Sequence, residues 1–95
     1  MPSSLKTFEE FDRTLAEARE EIEKLHRAWP DEGSITSVRN QLAAVHGWTR
    51  DGRCPSQGEK DQLNFGQIAS RELDDYPVAQ KLYELASFVI YWGES

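Results

Sequence analysis

Seven apolar residues near the start of the chain, Phe8, Phe11, Leu15, Ala18, Ile22, Leu25 and Trp29, recur at alternating steps of three and four. That spacing lays all seven on one stripe of an α-helix. Thr7-Phe8-Glu9-Glu10 has the spacing of a capping box, with Thr7 as N-cap and Glu10 reaching back to it. Charges fill the opposite face, and Glu9–Arg13, Glu20–Lys24 and Glu23–Arg27 have the favourable acid-first i,i+4 order. Pro30 and Gly33 end the element.

Three further helices follow from the same pattern. One starts at Ser34 and carries Ile35, Val38, Leu42 and Val45, continuing to Thr49 past a weak place at Gly47. Asp51 to Pro55 reads as a loop. Ser56-Gln57-Gly58-Glu59 repeats the capping-box spacing and opens a third helix. Leu63, Ile68, Ala69 and Leu73 form its inner face, and Gly66 lets another helix come close. Pro77 suits the first turn of a fourth helix, whose stripe is Val78, Leu82, Leu85, Val89 and Trp92 and which Gly93 ends. No segment sustains a period of two, so a sheet is not expected. The pattern predicts an all-α protein, a small antiparallel four-helix bundle forming a single domain over residues 1–95.

Composition agrees with a folded core. The 95 residues include three Trp, three Tyr and four Phe, an aromatic content that disordered chains lack. A chain this long buries roughly 60–65% of the surface it exposes when unfolded, enough for one core without staples. The single cysteine, Cys54, excludes an intrachain disulfide and suggests a reducing compartment. Met1 to Lys6 lacks the apolar core of a signal peptide, and no apolar run is long enough to span a bilayer. The expected location is the cytoplasm.

Charge narrows the partners. The formal net charge of −6 disfavours nucleic acid and anionic membranes. The acids are unevenly spread: nine against five bases over residues 1–33, one against three over 34–57, and seven against three over 58–95. On the first helix they form a solvated face. The Glu72-Leu73-Asp74-Asp75 cluster is more local. It either caps the last helix or steers a basic partner, and the two roles are compatible.

Candidate chemistry is sparse. His26, His46 and Cys54 have no metal-ligand spacing, no glycine-rich phosphate loop is present, and Cys54 carries no nucleophile signature. Neither a metal nor another cofactor is expected, nor is enzymatic activity. Aromatic residues are more informative. Trp29 and Trp92 fit the core stripes, whereas Trp48, Phe65 and Tyr91 fall off them and Tyr76 lies at the corner before Pro77. Off-stripe aromatics fill a wide core or, if exposed, anchor a protein interface.

The run from Leu63 to Pro77, LNFGQIASRELDDYP, resembles the bacterial immunity-protein family that protects type VI secreting cells from their own NAD(P)+ glycohydrolase toxin. The positions that carry the resemblance are Leu63, Gly66, Ala69, Arg71, Glu72, Leu73, Asp74 and Pro77, supported upstream by Gln41-Leu42 and the Asp51-to-Ser56 loop. Tyr76 stands where the family commonly has an acid, and Cys54-Pro55 is a further departure. The resemblance implies a small helical protein without enzymatic activity that binds a cognate toxin domain and occludes its active site. Relatives accompany toxins of more than one chemistry, nucleotide pyrophosphokinases and ADP-ribosyltransferases among them. Glu72, Asp74, Asp75, Tyr76, Phe65, Trp48 and Arg71 are the expected toxin-binding residues, in a monomer or weak homodimer. A helical adaptor that dimerises through the first helix is the alternative.

Overall fold

The first helix begins where its capping box places it. In the computed structural model, which describes residues 5–92, the Glu10 N–H donates to Thr7 Oγ1 at 3.2 Å and the Thr7 N–H donates to Glu10 Oε1 at 3.0 Å. The Lys6 N–H reaches the same carboxylate at 2.9 Å, and these bonds hold the Glu10 carboxyl below its usual range. The described residues form α1 over Phe8–Ala28, α2 over Gly33–Thr49, α3 over Gln57–Lys60, α4 over Phe65–Glu72 and α5 over Val78–Tyr91. No strand occurs among the described residues. Gly93, expected to end the last helix, and Met1 to Ser4 lie outside the described residues.

The four longer helices pack as a small bundle. α1 contacts α2 and α5, α4 contacts α5 and α2, and one core runs between them. From α1, Phe11, Leu15, Ala18 and Ile22 enter it fully buried. Each of the larger three is worth about 1.5–3 kcal/mol in transfer free energy. The stripe is thus consumed within the chain, leaving none of these four side chains for pairing between chains. α2 adds Ile35, Val38, Leu42 and Val45, and α5 adds Val78, Leu82, Leu85 and Val89. Thr49 is also buried, and its hydroxyl escapes desolvation cost by donating to the Val45 carbonyl at 2.8 Å. At one end, Phe8, Phe11, Phe88 and Trp92 form a cluster with ring centroids 4.7–6.2 Å apart.

Ion pairs brace both flanks of α1. Glu23 pairs with Arg39 of α2 instead of the expected Arg27, and this bond holds the Glu23 carboxyl low. Glu21 accepts from Lys81 of α5 at 2.8 Å, which raises the lysine. The expected Glu20–Lys24 pair is present at 3.8 Å, with both side chains largely exposed.

Two expectations need correction. Trp29 extends the α1 stripe on paper but is 57% exposed. Pro30 disfavours a helical conformation in the residue before it, and Trp29 takes φ −132° and ψ 65°, outside the helix. A 3.6-residue period says nothing about a residue that is not helical.

The single third helix is in fact two. α3 keeps its capping box: the Glu59 N–H donates to Ser56 Oγ at 3.2 Å and the Ser56 N–H donates to Glu59 at 2.8 Å. Arg53 Nη2 donates to both oxygens of the same carboxylate at 3.0 Å. After Lys60 the chain breaks and restarts at Asn64, which has a non-helical φ of −141°. The new start is satisfied by a tertiary partner. The Asn64 N–H donates to Gln41 Oε1 at 2.8 Å, and Gln41 Nε2 donates to Asn64 Oδ1 at 2.6 Å. The break also frees Lys60 to donate to the Trp92 carbonyl at 2.6 Å, satisfying an acceptor at the end of α5.

Gly66 meets α5 as its position suggests. A Cβ there would lie 2.9 Å from the Ala86 Cβ, closer than two backbone-fixed carbons tolerate. Gly66→Val should therefore push α4 from α5 and cost about 1–3 kcal/mol by overpacking. Thermal melts should show that loss, with partial recovery in Gly66→Val/Ala86→Gly.

Glu10, Glu23 and Glu59 all titrate below 4.5 in the folded chain. Groups so depressed add stability above the unfolded value, and that stability disappears as pH falls through the folded values. Melting temperature should hold near neutrality and decline below pH 4.5, and Glu23→Gln should flatten the decline.

Candidate functional site

Leu73 fixes the corner between α4 and α5. Its N–H donates to the Ala69 carbonyl at 3.1 Å, and its side chain is only 2% exposed. With Leu73 turned inward, the flanking Glu72, Asp74 and Asp75 are exposed. The Tyr76 N–H then donates to the Leu73 carbonyl at 2.9 Å, and the half-buried Tyr76 ring packs against the core. Pro77, with φ −56° and ψ −29°, leads into α5.

Among the described residues no side-chain hydrogen bond caps the first turn of α5, so any effect of Glu72, Asp74 and Asp75 on that helix is through charge near its N-terminus and not through a hydrogen-bonded cap. Asp74 instead accepts from the Tyr83 hydroxyl of α5 at 2.8 Å. This bond to a carboxylate raises the Tyr83 phenol above its usual 10.

The α1–α2 turn closes on this corner. Trp29 donates its N–H to the Leu25 carbonyl at 2.8 Å, and the Glu32 N–H donates to the Trp29 carbonyl at 3.1 Å. Glu32 stands at the N-cap position of α2. A cavity of about 230 Å³ lies between turn and corner, lined by Trp29, Glu32, Ser34, Ile35, Glu72, Leu73 and Tyr76. An exposed indole, two carboxylates and a phenol ring thus share one recess whose floor is the buried pair Ile35 and Leu73.

The seven expected site residues separate accordingly. Glu72 and Tyr76 line the recess, Asp74 and Asp75 lie exposed on the same corner, and Arg71 is exposed one position before Glu72. Phe65 is corrected to a core residue, 1% exposed at the start of α4. Its ring is not available as an anchor. Trp48 is half-buried near the end of α2, thirteen positions beyond Ile35, or roughly 20 Å along the helix at 1.5 Å per residue. The structure does not bring it to the corner.

Trp29 and Glu32 were not expected there, and a signal for Trp29 existed: proline disfavours the helical conformation in the residue directly before it.

A second recess, about 280 Å³, runs between α4 and α5 past Leu63, Phe65, Gly66, Tyr83, Val89 and the exposed Ile90. Among the described residues, no group of three His, Cys, Asp or Glu side chains converges to hold a metal. No helix there is long and apolar enough to cross a membrane.

A family profile named Tsi6 matches residues 6–91, nearly the whole chain. The chain belongs to the Tsi6 family. Tsi6 is a family of type VI secretion immunity proteins, directed against an NAD(P)+ glycohydrolase, as the resemblance at Leu63 to Pro77 implied. The Tsi6 match encloses both capping boxes, the Gln41–Asn64 junction and the acidic corner. No curated protein and no solved structure matches the chain.

The Asp74–Tyr83 bond gives a direct check on the corner. Asp74→Asn should return the phenol toward 10 in a spectrophotometric titration, since both the carboxylate acceptor and its charge are lost. Trp29→Ala should leave the melting midpoint nearly unchanged, within about 0.5 kcal/mol, because the ring lies outside the core.

Proposed function

We propose that this chain binds a cognate secreted toxin and occludes its active site, with the α4–α5 corner as the main contact. Membership of the Tsi6 family carries this reading. The corner supports it physically: Glu72, Asp74 and Asp75 are exposed around the buried Leu73, beside a recess with an exposed indole. The toxin chemistry we favour is NAD(P)+ glycohydrolysis. A cleft that takes a polyanionic nucleotide needs positive charge, and surface carboxylates compete for the same groups.

In this reading the protein acts stoichiometrically in the cytoplasm, without catalysis or cofactor. Slow release matters more than fast capture, because neutralisation must outlast exposure. We also read the longer helices as antiparallel neighbours. Trp92 at the end of α5 packs on Phe8 and Phe11 at the start of α1, while the turn after α1 meets the corner before α5.

The toxin to test is a toxin domain of the NAD(P)+ glycohydrolase class, sought first in the reading frame beside this gene. Glu72→Lys with Asp75→Lys should weaken its binding about tenfold or more in a calorimetric titration and leave helicity unchanged. Unaltered affinity would remove the corner from the interface, and failure of the unmodified protein to bind would remove the function.

A further inference from the structure

The recess between the α1–α2 turn and the α4–α5 corner has a chemistry more specific than negative charge. Trp29 is 57% exposed beside it, and Tyr76 contributes a second aromatic ring. Glu32 enters from one side of the chain fold and Glu72 from the other, forty residues apart in sequence. Among the described residues, neither carboxylate has an ion pair or a side-chain hydrogen bond. Elsewhere Glu20, Glu21, Glu23 and Glu59 are each paired with a base of this chain. Here the apolar floor of Ile35 and Leu73 and the aromatic walls are in place, and among the described residues no base pairs with the two acids.

A flat cation satisfies all of these groups together. A guanidinium stacks on an indole face, presents donors in its own plane to carboxylates, and carries a methylene stem that suits an apolar floor. An ammonium is more strongly hydrated and lacks the planar stacking surface. We propose that this recess receives one arginine side chain of the bound toxin, held against Trp29 and between Glu32 and Glu72. The proposal rests on the toxin-binding function above and adds Trp29 and Glu32, which lie outside the corner itself.

The test uses the full chain and the same toxin domain as the binding experiment above. Trp29→Ala and the doubly neutralised Glu32→Gln/Glu72→Gln should each weaken binding by about five- to thirtyfold, chiefly through faster release. Both keep the helical spectrum of the parent, since the substituted side chains are exposed. Combining the two should cost less than the product of the separate losses, because both act on one cation. One arginine of the toxin, replaced by alanine, should show the same coupling. If the parent binds but both variants stay within twofold of it, the arginine recess is overturned while the function stands. Coupling to a toxin lysine, or none to any arginine, overturns it equally. If the parent does not bind the toxin, the function itself falls and the recess with it.

Discussion

Everything in this fold depends on the burial of one stripe of α1. Phe11, Leu15, Ala18 and Ile22 have no solvent-exposed surface, and α2 and α5 are the helices that cover them. A 21-residue helix with strongly charged outer residues gains its stability from that seam more than from intrinsic helix propensity. The two cross-helix pairs, Glu23–Arg39 and Glu21–Lys81, border the seam and set which neighbour lies on which side. Both pairs are solvent-exposed enough to contribute orientation more than energy.

The polar groups at the ends of the elements are satisfied in two different ways. α1 and α3 close their own N-termini through Thr7–Glu10 and Ser56–Glu59. α4 and the end of α5 depend on distant partners: Gln41 for Asn64, and Lys60 for the Trp92 carbonyl. Those distant bonds tie the irregular 50–64 region to two sides of the bundle. They leave α4 short and close-packed, with Gly66 against Ala86.

The corner after α4 owes its display of charge to this arrangement. Leu73 is held by the core, and the Glu72, Asp74 and Asp75 that flank it are left facing outward. Aromatic surface and acid then coincide because Pro30 turns Trp29 out of its helix beside the same corner. Such a surface resembles the interior of a protein interface, where tryptophan and charge-paired arginine dominate the binding energy.

Local rules were sufficient for much of this. The capping boxes at Thr7 and Ser56 and the stripes of α1, α2 and α5 follow from residues within one or two turns of each other, while Gly66 marked a place for close approach without naming Ala86 as what it meets. The family was legible in the Leu63 to Pro77 run, and Glu72 with its acidic neighbours was visible as a cluster. Tertiary structure alone decided the rest. The break before Asn64 is satisfied by Gln41, twenty-three positions away, and no local pattern carries such a partner. Burial of Phe65 depends on where α4 lies over the core, and Trp48 was separated from the corner by the length of α2. Trp29 and Glu32 meet Glu72 only because two turns distant in sequence are brought to one recess by the packing of the helices between them.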